Sequence, residues 1–174
     1  AGIEPDAIVV VVGHQREQVS AAVDELSSEL GVPVSTAVQE EQNGTGHAVG
    51  CGLVGLENIQ GEVVVTYGDV PMLTGETLRG LVEAHREAEA KVTVMTAVVP
   101  DPTGYGRVIR DGDRVARIVE QKDATPDEAA VTEINSGIYV FDARVLRDGL
   151  SRLNPSNAQG ELYVTDVLGI ARGD

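Results

Sequence analysis

Apolar and polar positions alternate along this chain in blocks whose period changes. Short runs of β-branched residues, typical of strands, are separated by segments with an apolar residue at every third or fourth position, typical of helices. The β-branched runs lie at 8–12, 34–38, 63–66 and 92–99. Strands that alternate with helices predict an α/β fold, Rossmann-like and doubly wound, with a mostly parallel sheet. The strand at 8–12 is entirely aliphatic, and we expect it to be fully buried.

Three segments between these strands have helical spacing. They lie at 17–30, at 46–56, and at 74–90, where Thr74 is a predicted N-cap residue. The first of them places four apolar side chains on one predicted face: Val19, Ala22, Leu26 and Leu30.

The pattern changes after residue 100. Two short strands at 107–110 and 114–121 are joined by Asp111-Gly112-Asp113, which predicts an antiparallel β-hairpin. A hairpin inserted beside a parallel sheet is expected to form a lip over the crevice at the strand ends, where ligands bind in such sheets. The remaining predicted elements are a strand at 133–141 and helices at 143–153 and 162–171.

Composition narrows the class of protein. The 174 residues are enough for one domain or part of a larger one, and 42% of them are apolar, as in ordinary globular proteins. The net charge of −15 argues against nucleic-acid or anionic-membrane surfaces, which need clustered Lys and Arg. A single cysteine excludes an internal disulfide, and the longest apolar run, 7–12, is too short to span a bilayer. We therefore expect a cytoplasmic protein.

One acidic residue follows the strand at 63–66. After this apolar run the sequence reads Tyr67-Gly68-Asp69-Val70-Pro71, so Asp69 is delivered to the carboxyl edge of the predicted sheet. A carboxylate at that position can hold Mg2+, which takes one or two protein carboxylates and completes its shell with water and phosphate oxygens. The alternative interpretation is a turn aspartate, with Pro71 ending the strand.

Two glycine-containing segments are candidate binding loops. The segment from Gln39 to His47 follows a strand and opens a helix, and its amide and hydroxyl groups can read the edge of a base, although a plain tight turn is the alternative. Thr103-Gly104-Tyr105-Gly106-Arg107 is either a turn or a surface for a sugar ring. The three histidines have no metal-ligand spacing, and we interpret each as a surface or turn residue.

Polar residues also interrupt the apolar pattern near the predicted hairpin. Glu120 lies at the end of a hairpin strand, and Asn135 lies among apolar neighbours, where it needs a partner from the backbone or from a ligand hydroxyl. Residues 157–166 carry closely spaced polar groups before a helix, and a helix-capping region is the simpler interpretation.

These segments together resemble the uridylyltransferase (pyrophosphorylase) domain of the bifunctional bacterial GlmU family, of the actinobacterial type. The resemblance covers nearly the whole chain. It implies a nucleotide-diphospho-sugar transferase fold and, as substrates, UTP and N-acetylglucosamine-1-phosphate, which yield UDP-N-acetylglucosamine for peptidoglycan synthesis. The motifs that carry it are QEEQNGTGHAV, VVTYGDVP, DPTGYGRV, IVEQKDATP, EINSGIYVFD and NAQGELYVTDV.

The resemblance also implies roles for individual residues. Gln39, Gly44 and Thr45 would recognise the uracil. Asp69 would be the catalytic Mg2+ ligand, beside Tyr67 and Gly68. The N-acetylglucosamine moiety would be bound by Gly106, Glu120 and Asn135, with Tyr163 and Thr165 closing that side.

The chemistry implied by the resemblance needs no general base, because a sugar phosphate is already anionic at neutral pH. Catalysis then reduces to alignment and charge neutralisation. The family's glycine-rich signature loop, its second Mg2+ ligand and the acetyltransferase β-helix that builds homotrimers are absent from the sequence. We therefore expect residues 1–174 to be a partial nucleotidyltransferase domain, inactive or poorly active alone.

Two other functions remain open from the sequence. One is a related sugar-1-phosphate nucleotidyltransferase that uses another base or sugar. The other is a non-catalytic domain that binds nucleotide sugars on the same sheet. Dependence of binding on Mg2+ and on Asp69 distinguishes a transferase from a sensor.

Overall fold

The computed structural model describes residues 3–13, 19, 22–23, 25, 27, 29–56 and 58–173. Strands and helices alternate up to residue 98, and a hairpin and a long strand then follow. In chain order the elements are β1 (Ile8–Val12), β2 (Val34–Val38), α1 (Thr45–Gly52), β3 (Glu62–Val65), α2 (Gly75–Glu87), β4 (Val92–Val98), β5 (Arg107–Asp111), β6 (Arg114–Val119), α3 (Pro126–Ala129), β7 (Glu133–Asp142), α4 (Ala143–Arg152) and α5 (Asp166–Arg172).

Strand β7 organises the larger sheet. It pairs antiparallel with β4 along most of its length, with β3 near its end, and with β5 at Ile134. β3 and β4 are therefore parallel to each other, as their connection through α2 predicts, but the antiparallel β7 pairs with both of them. The predicted hairpin is confirmed, with Gly112 at a positive φ of 59° in its turn.

Strands β1 and β2 form a separate parallel pair. The prediction that residues 8–12 are fully buried is wrong, since only Val12 is buried at 5% exposure and the other four are half-buried. Within the described residues β1 pairs only with β2, whose own side chains are half-buried or exposed, so apolar content alone does not bury the strand.

Side chains at the helix starts explain where several helices begin. The Thr74 hydroxyl accepts from the Thr77 amide, which confirms the predicted N-cap of α2. Asp142 caps α4 through its carboxylate. The short helix α3 was not predicted, although Thr125 and Glu128 form a capping box around Pro126.

Among the described residues of 17–30, the predicted apolar face of the helix is wrong. Residues 19, 22, 23, 25, 27, 29 and 30 are helical, but Val19 and Leu30 are 41% and 49% exposed and Ala22 is also exposed. Val23 is buried instead, at 3%. Glu17 and Leu26 lie outside the described residues. Each residue advances a helix by about 100°, so choosing Ala22 rather than Val23 misplaces the buried face.

The core lies between β7, the hairpin and the last two helices. Tyr139 and Phe141 stack there with ring centroids 5.4 Å apart. Leu146 on α4 and Val167 on α5 are fully buried against them. No helix among the described residues is long and apolar enough to cross a membrane.

The packing of α4 on α5 requires a small residue at Gly149. A β-carbon on Gly149 would lie 2.6 Å from Val167 Cγ1, whereas one on the exposed Gly80 of α2 would meet nothing within 4 Å. We expect Gly149→Ala to lower the free energy of unfolding by about 1–3 kcal/mol. The control Gly80→Ala should raise it by about 0.5–1 kcal/mol, because alanine costs less backbone entropy. Urea unfolding measures both changes, and a stabilised Gly149→Ala variant would contradict this packing.

Candidate functional site

Four of the sequence-predicted site residues come together where β5, β6, β7 and α5 meet. Glu120 follows β6, and its Oε1 accepts from the Thr165 hydroxyl at 3.3 Å. Gly106 lies next to the same carboxylate. Its backbone carbonyl accepts a hydrogen bond from the backbone N–H of Asn135 at 2.9 Å. We call these four residues, Gly106, Glu120, Asn135 and Thr165, the carboxylate cluster.

Gly106 allows a close approach in this cluster. A β-carbon there would lie 3.3 Å from both Glu120 carboxylate oxygens and 3.1 Å from Ile118 Cγ2. A larger residue would therefore push the Glu120 carboxylate away from its present position.

Asn135 has a backbone partner for its side-chain oxygen. Its Oδ1 accepts from the Gly137 amide at 2.9 Å, and the residue is 8% exposed. The backbone alternative predicted for Asn135 thus accounts for the oxygen. The side-chain NH2 group interacts with the Tyr139 hydroxyl, and because it carries two hydrogens it keeps one for a further acceptor.

Tyr67 packs on an irregularity in β7. The register of β4 with β7 shifts between Val94 and Thr96, and Gly137 opposite this shift has a positive φ of 78°. A β-carbon on Gly137 would overlap the Tyr67 ring, so only glycine lets the ring lie there. Bulges of this kind often re-aim side chains next to binding sites. Burial raises the pKa of Tyr67, and the charges of Glu120 and Asp69 raise it further.

Asp69 and Gly68 lie in the exposed turn after β3. The Asp69 charge is close enough to Tyr67 to raise the pKa of its hydroxyl, as the Glu120 charge also does. A side chain at Gly68 would meet nothing within 4 Å, so packing does not require glycine there. Within the described part of the chain, no three His, Cys, Asp or Glu side chains are grouped to hold a metal ion.

The second group of predicted residues lies in residues 39–47, which we call the glycine loop. Gln39 directly follows β2, and its Nε2 donates to the Gly44 carbonyl at 3.1 Å and lies 3.1 Å from His47 Nδ1. Gly44 precedes α1 with a φ of 98°. The Gln39 amide is thus held at the start of α1, beside the amino end of the helix.

A connecting segment, 162–165, joins the two groups. The Leu162 amide donates to the Asn43 carbonyl at 2.8 Å, and the Leu162 carbonyl accepts from Gly46 at 2.7 Å. The Val164 amide donates to the Thr45 hydroxyl at 3.1 Å. Tyr163, between these contacts, is 6% exposed. These bonds engage residues 162 and 164 outside a helix. The last helix, α5, therefore begins at Asp166, whereas the sequence pattern had predicted a start at residue 162.

Comparison with known proteins assigns the family. The family model described as nucleotidyl transferase matches residues 1–172. The chain belongs to the nucleotidyl transferase family.

Similar curated members of this nucleotidyl transferase family carry one name. The chain is 61% identical over 170 residues to the bifunctional protein GlmU of Cutibacterium acnes. This match covers 98% of the chain and 40% of the GlmU protein. It is also 61% identical to the GlmU of Corynebacterium aurimucosum, with 99% of the chain and 36% of that protein covered. The chain thus spans well under half the length of these relatives, and the resemblance read from its motifs is confirmed.

Solved structures confirm the α/β fold class. A UDP-glucose pyrophosphorylase complexed with UDP-glucose superimposes with a TM-score of 0.72 at 16% identity, over 97% of this chain and 70% of that one. A putative glucose-1-phosphate thymidylyltransferase from Bacillus anthracis gives 0.74 at 24% identity, over 95% and 63%. At these identities the likeness establishes the nucleotidyl transferase fold alone.

Charge in the candidate site is concentrated around Glu120. Burial raises the pKa of Glu120, the Thr165 hydroxyl opposes that shift, and the nearby Asp166 and Asp123 raise the pKa further. Burial also raises the pKa of Asp166, with Asp123 adding to it. The site therefore resists additional negative charge, and a phosphate that approaches it needs a neutralising cation.

The sequence did not predict the burial or the contacts of several other residues. Arg107 is 2% exposed and bonds to Gln121, although a charged residue at the start of a strand normally suggests solvent. His47 was interpreted as a surface or turn residue, yet it contacts Gln39. The same interpretation is wrong for His85, which is 4% exposed with its Nδ1 2.8 Å from the Thr93 hydroxyl. His14 lies outside the described residues.

The raised pKa of Glu120 predicts a pH-dependent stability difference. A carboxyl whose folded pKa exceeds its ordinary value of 4.5 contributes stability that is present below that pH and lost as the pH rises through the folded pKa. We expect Glu120→Gln to be more stable than the wild type at pH 7. The difference should vanish below about pH 4.5 in chemical unfolding series.

Glu133→Gln is the matched control of opposite sign. Arg110 lowers the pKa of Glu133 through bonds of 2.6 and 2.7 Å, so this carboxylate stabilises the fold at neutral pH. Glu133→Gln should be less stable than the wild type at pH 7, and that difference should shrink as the pH falls through the lowered pKa. A Glu120→Gln variant that behaves like Glu133→Gln would contradict the electrostatics described above.

Proposed function

We propose that residues 1–174 are part of a nucleotidyltransferase domain that transfers UMP from UTP to N-acetylglucosamine-1-phosphate and releases pyrophosphate. The observation that carries this proposal is the union of the glycine loop and the carboxylate cluster through the segment 162–165. One group offers amides for a base, and the other offers a carboxylate and amides for a sugar. The similarity to GlmU proteins supports the choice of substrates.

The carboxylate cluster suits the sugar. Glu120 can accept hydrogen bonds from sugar hydroxyls, and the Asn135 NH2 can donate to an acetamido oxygen. Thr165 orients the Glu120 carboxylate, and the lack of a side chain at Gly106 leaves room for that carboxylate. Tyr67, at 44% exposure, provides apolar surface near Glu120, whereas Tyr163, in the segment 162–165, is buried at 6% exposure.

The glycine loop suits the uracil. A uracil edge presents carbonyl acceptors and one N–H donor, which matches the amide of Gln39 and the backbone groups near Gly44. Thr45 holds the loop through its contact with Val164, so its hydroxyl acts on the base by fixing the loop as well as by any direct contact.

Asp69 suits Mg2+. Its exposed carboxylate supplies one hard oxygen ligand at the end of β3, and one such ligand is sufficient where substrate phosphates and water complete the shell. When bound, the ion would neutralise phosphate charge near the raised-pKa carboxylates.

The reaction then depends on alignment. The phosphate of the sugar substrate is the nucleophile and is already ionised, so no residue of the chain has to remove a proton. Glu120, Asn135 and Thr165 would orient the sugar so that its phosphate faces the α-phosphorus. Gln39 and the glycine loop would fix the nucleoside, and pyrophosphate would leave in line.

Binding of nucleotide sugars tests the proposal directly. Because the acetamido group adds at least one hydrogen bond with Asn135, we expect UDP-N-acetylglucosamine to bind about tenfold more tightly than UDP-glucose. Isothermal titration calorimetry on the chain measures both affinities, with GDP-mannose as the control for base recognition. Equal affinities for the two UDP-sugars, or binding of neither, would refute the proposed substrates.

Asp69→Asn tests the metal role separately. We expect the variant to lose the increase in UTP affinity that Mg2+ gives the wild type, because the ligand oxygen loses its charge. Affinity for UDP-N-acetylglucosamine in EDTA should be unchanged. Asp113→Asn, in the exposed hairpin turn, is the matched control and should behave like the wild type. A Mg2+ response retained in Asp69→Asn would exclude Asp69 as the ligand.

A further inference from the structure

Arg107 is an unusual buried cation. It is the largest of the fully buried side chains, at 2% exposure, and among the described residues no carboxylate lies within ion-pair distance of it. Its Nε has no hydrogen-bond partner in the described part of the chain. The exposed Asp101 carboxylate interacts with Arg107 at longer range than an ion pair. Burying a charge without an ion pair opposes folding, so ion pairing does not explain why this side chain is buried.

The two outer nitrogens of Arg107 point to a specific arrangement. Nη1 donates to the Tyr105 carbonyl, and Nη2 donates to Gln121 Oε1 at 2.8 Å. The same Gln121 oxygen accepts from the Gly104 amide at 3.0 Å. Gln121 directly follows Glu120, and its side-chain oxygen therefore attaches the turn at 103–106 to the end of β6.

This link attaches the turn to the end of the strand that Glu120 follows. Two other bonds of the turn are local, from the Thr103 amide to Asp101 Oδ1 and from the Tyr105 amide to the Pro102 carbonyl. The Gly106 carbonyl attaches the turn to β7 through the Asn135 backbone amide, and β5 pairs with β6 only from Arg107 onward among the described residues. Gly106 and the Glu120 carboxylate are neighbours, since a β-carbon on Gly106 would lie 3.3 Å from both carboxylate oxygens. A turn released from Gln121 would change the distance between the Gly106 backbone and that carboxylate.

We propose that Arg107 and Gln121 are positioning residues that hold Gly106 against Glu120 and thereby set discrimination between sugars. Neither side chain has to touch the substrate. The inference rests on the proposed function, because it assigns the cluster to the sugar.

Substitutions at Gln121 separate positioning from packing. Gln121→Met is close in shape to glutamine but has no acceptor for Gly104 and Arg107. We expect it to lower the ratio of the UDP-glucose to the UDP-N-acetylglucosamine dissociation constant about fivefold, the effect of about one lost hydrogen bond. Affinity for UDP should stay unchanged. Gln121→Glu keeps an acceptor oxygen for both the Gly104 amide and Arg107 and should retain the wild-type ratio.

Arg107→Lys tests the same positioning role independently, so the proposal can still be tested if Gln121→Met does not fold. Lysine keeps the charge but has no planar fork to bond two acceptors at once, so the ratio should fall here too. Calorimetry supplies the ratios, and thermal unfolding reports stability separately.

The outcomes distinguish the two proposals. A wild-type ratio near one would refute the proposed sugar, and this positioning role with it. A wild-type preference that survives in Gln121→Met and Arg107→Lys would refute the positioning role alone. Equal weakening of UDP and UDP-N-acetylglucosamine would also refute it, because general damage to the fold would then explain the effect. A preference lost in both variants and kept in Gln121→Glu would establish it.

Discussion

The candidate site depends on the close approach of two backbone segments, residues 43–46 and 162–164. The Leu162 carbonyl would lie 2.5 Å from a β-carbon on Gly44 and 3.0 Å from one on Gly46, so glycine at both positions lets the backbones meet. Once they meet, the Leu162 amide and carbonyl are both satisfied across the gap, and the Thr45 hydroxyl accepts from Val164. The contact joins the glycine loop to the chain that enters α5. Without it, the predicted base and sugar groups would have no fixed relation.

Electrostatics sets the second constraint. The chain has a net charge of −15, and burial together with neighbouring acids raises the pKa values of Glu120 and Asp166. A site of this kind favours neutral, hydroxyl-bearing groups close to its carboxylates and keeps phosphates at its edge. Asp69 is exposed and close to Tyr67 in the chain. Under the function proposed above, a sugar beside Glu120 with the phosphates and a cation farther out would be the arrangement that costs least in charge repulsion.

Local signals made much of the fold predictable, and long-range contacts account for the failures. The Asp-Gly turn of the hairpin and the Thr74 N-cap each depend on only a few neighbouring residues, and both predictions are confirmed. The burial of 8–12 depends on which elements cover the strand, so its apolar composition misled. The motif resemblance named the residues of the carboxylate cluster, but the Arg107–Gln121 contact joins residues 14 apart through side chains and leaves no periodic trace.

Packing is uneven between the two halves of the site. The carboxylate cluster rests on β7 and α5, where Val140 and Val167 have no exposed surface, so its geometry is supported by the densest part of the core. The glycine loop follows β2, an exposed or half-buried strand whose only partner among the described residues is β1. Regions with fewer buried apolar contacts open at lower free energy. The carboxylate cluster is therefore the preorganised half of the site. The glycine loop gains its order through α1 and the bonds to Leu162 and Val164, so a ligand that bound the loop would also stabilise this less buried part of the fold.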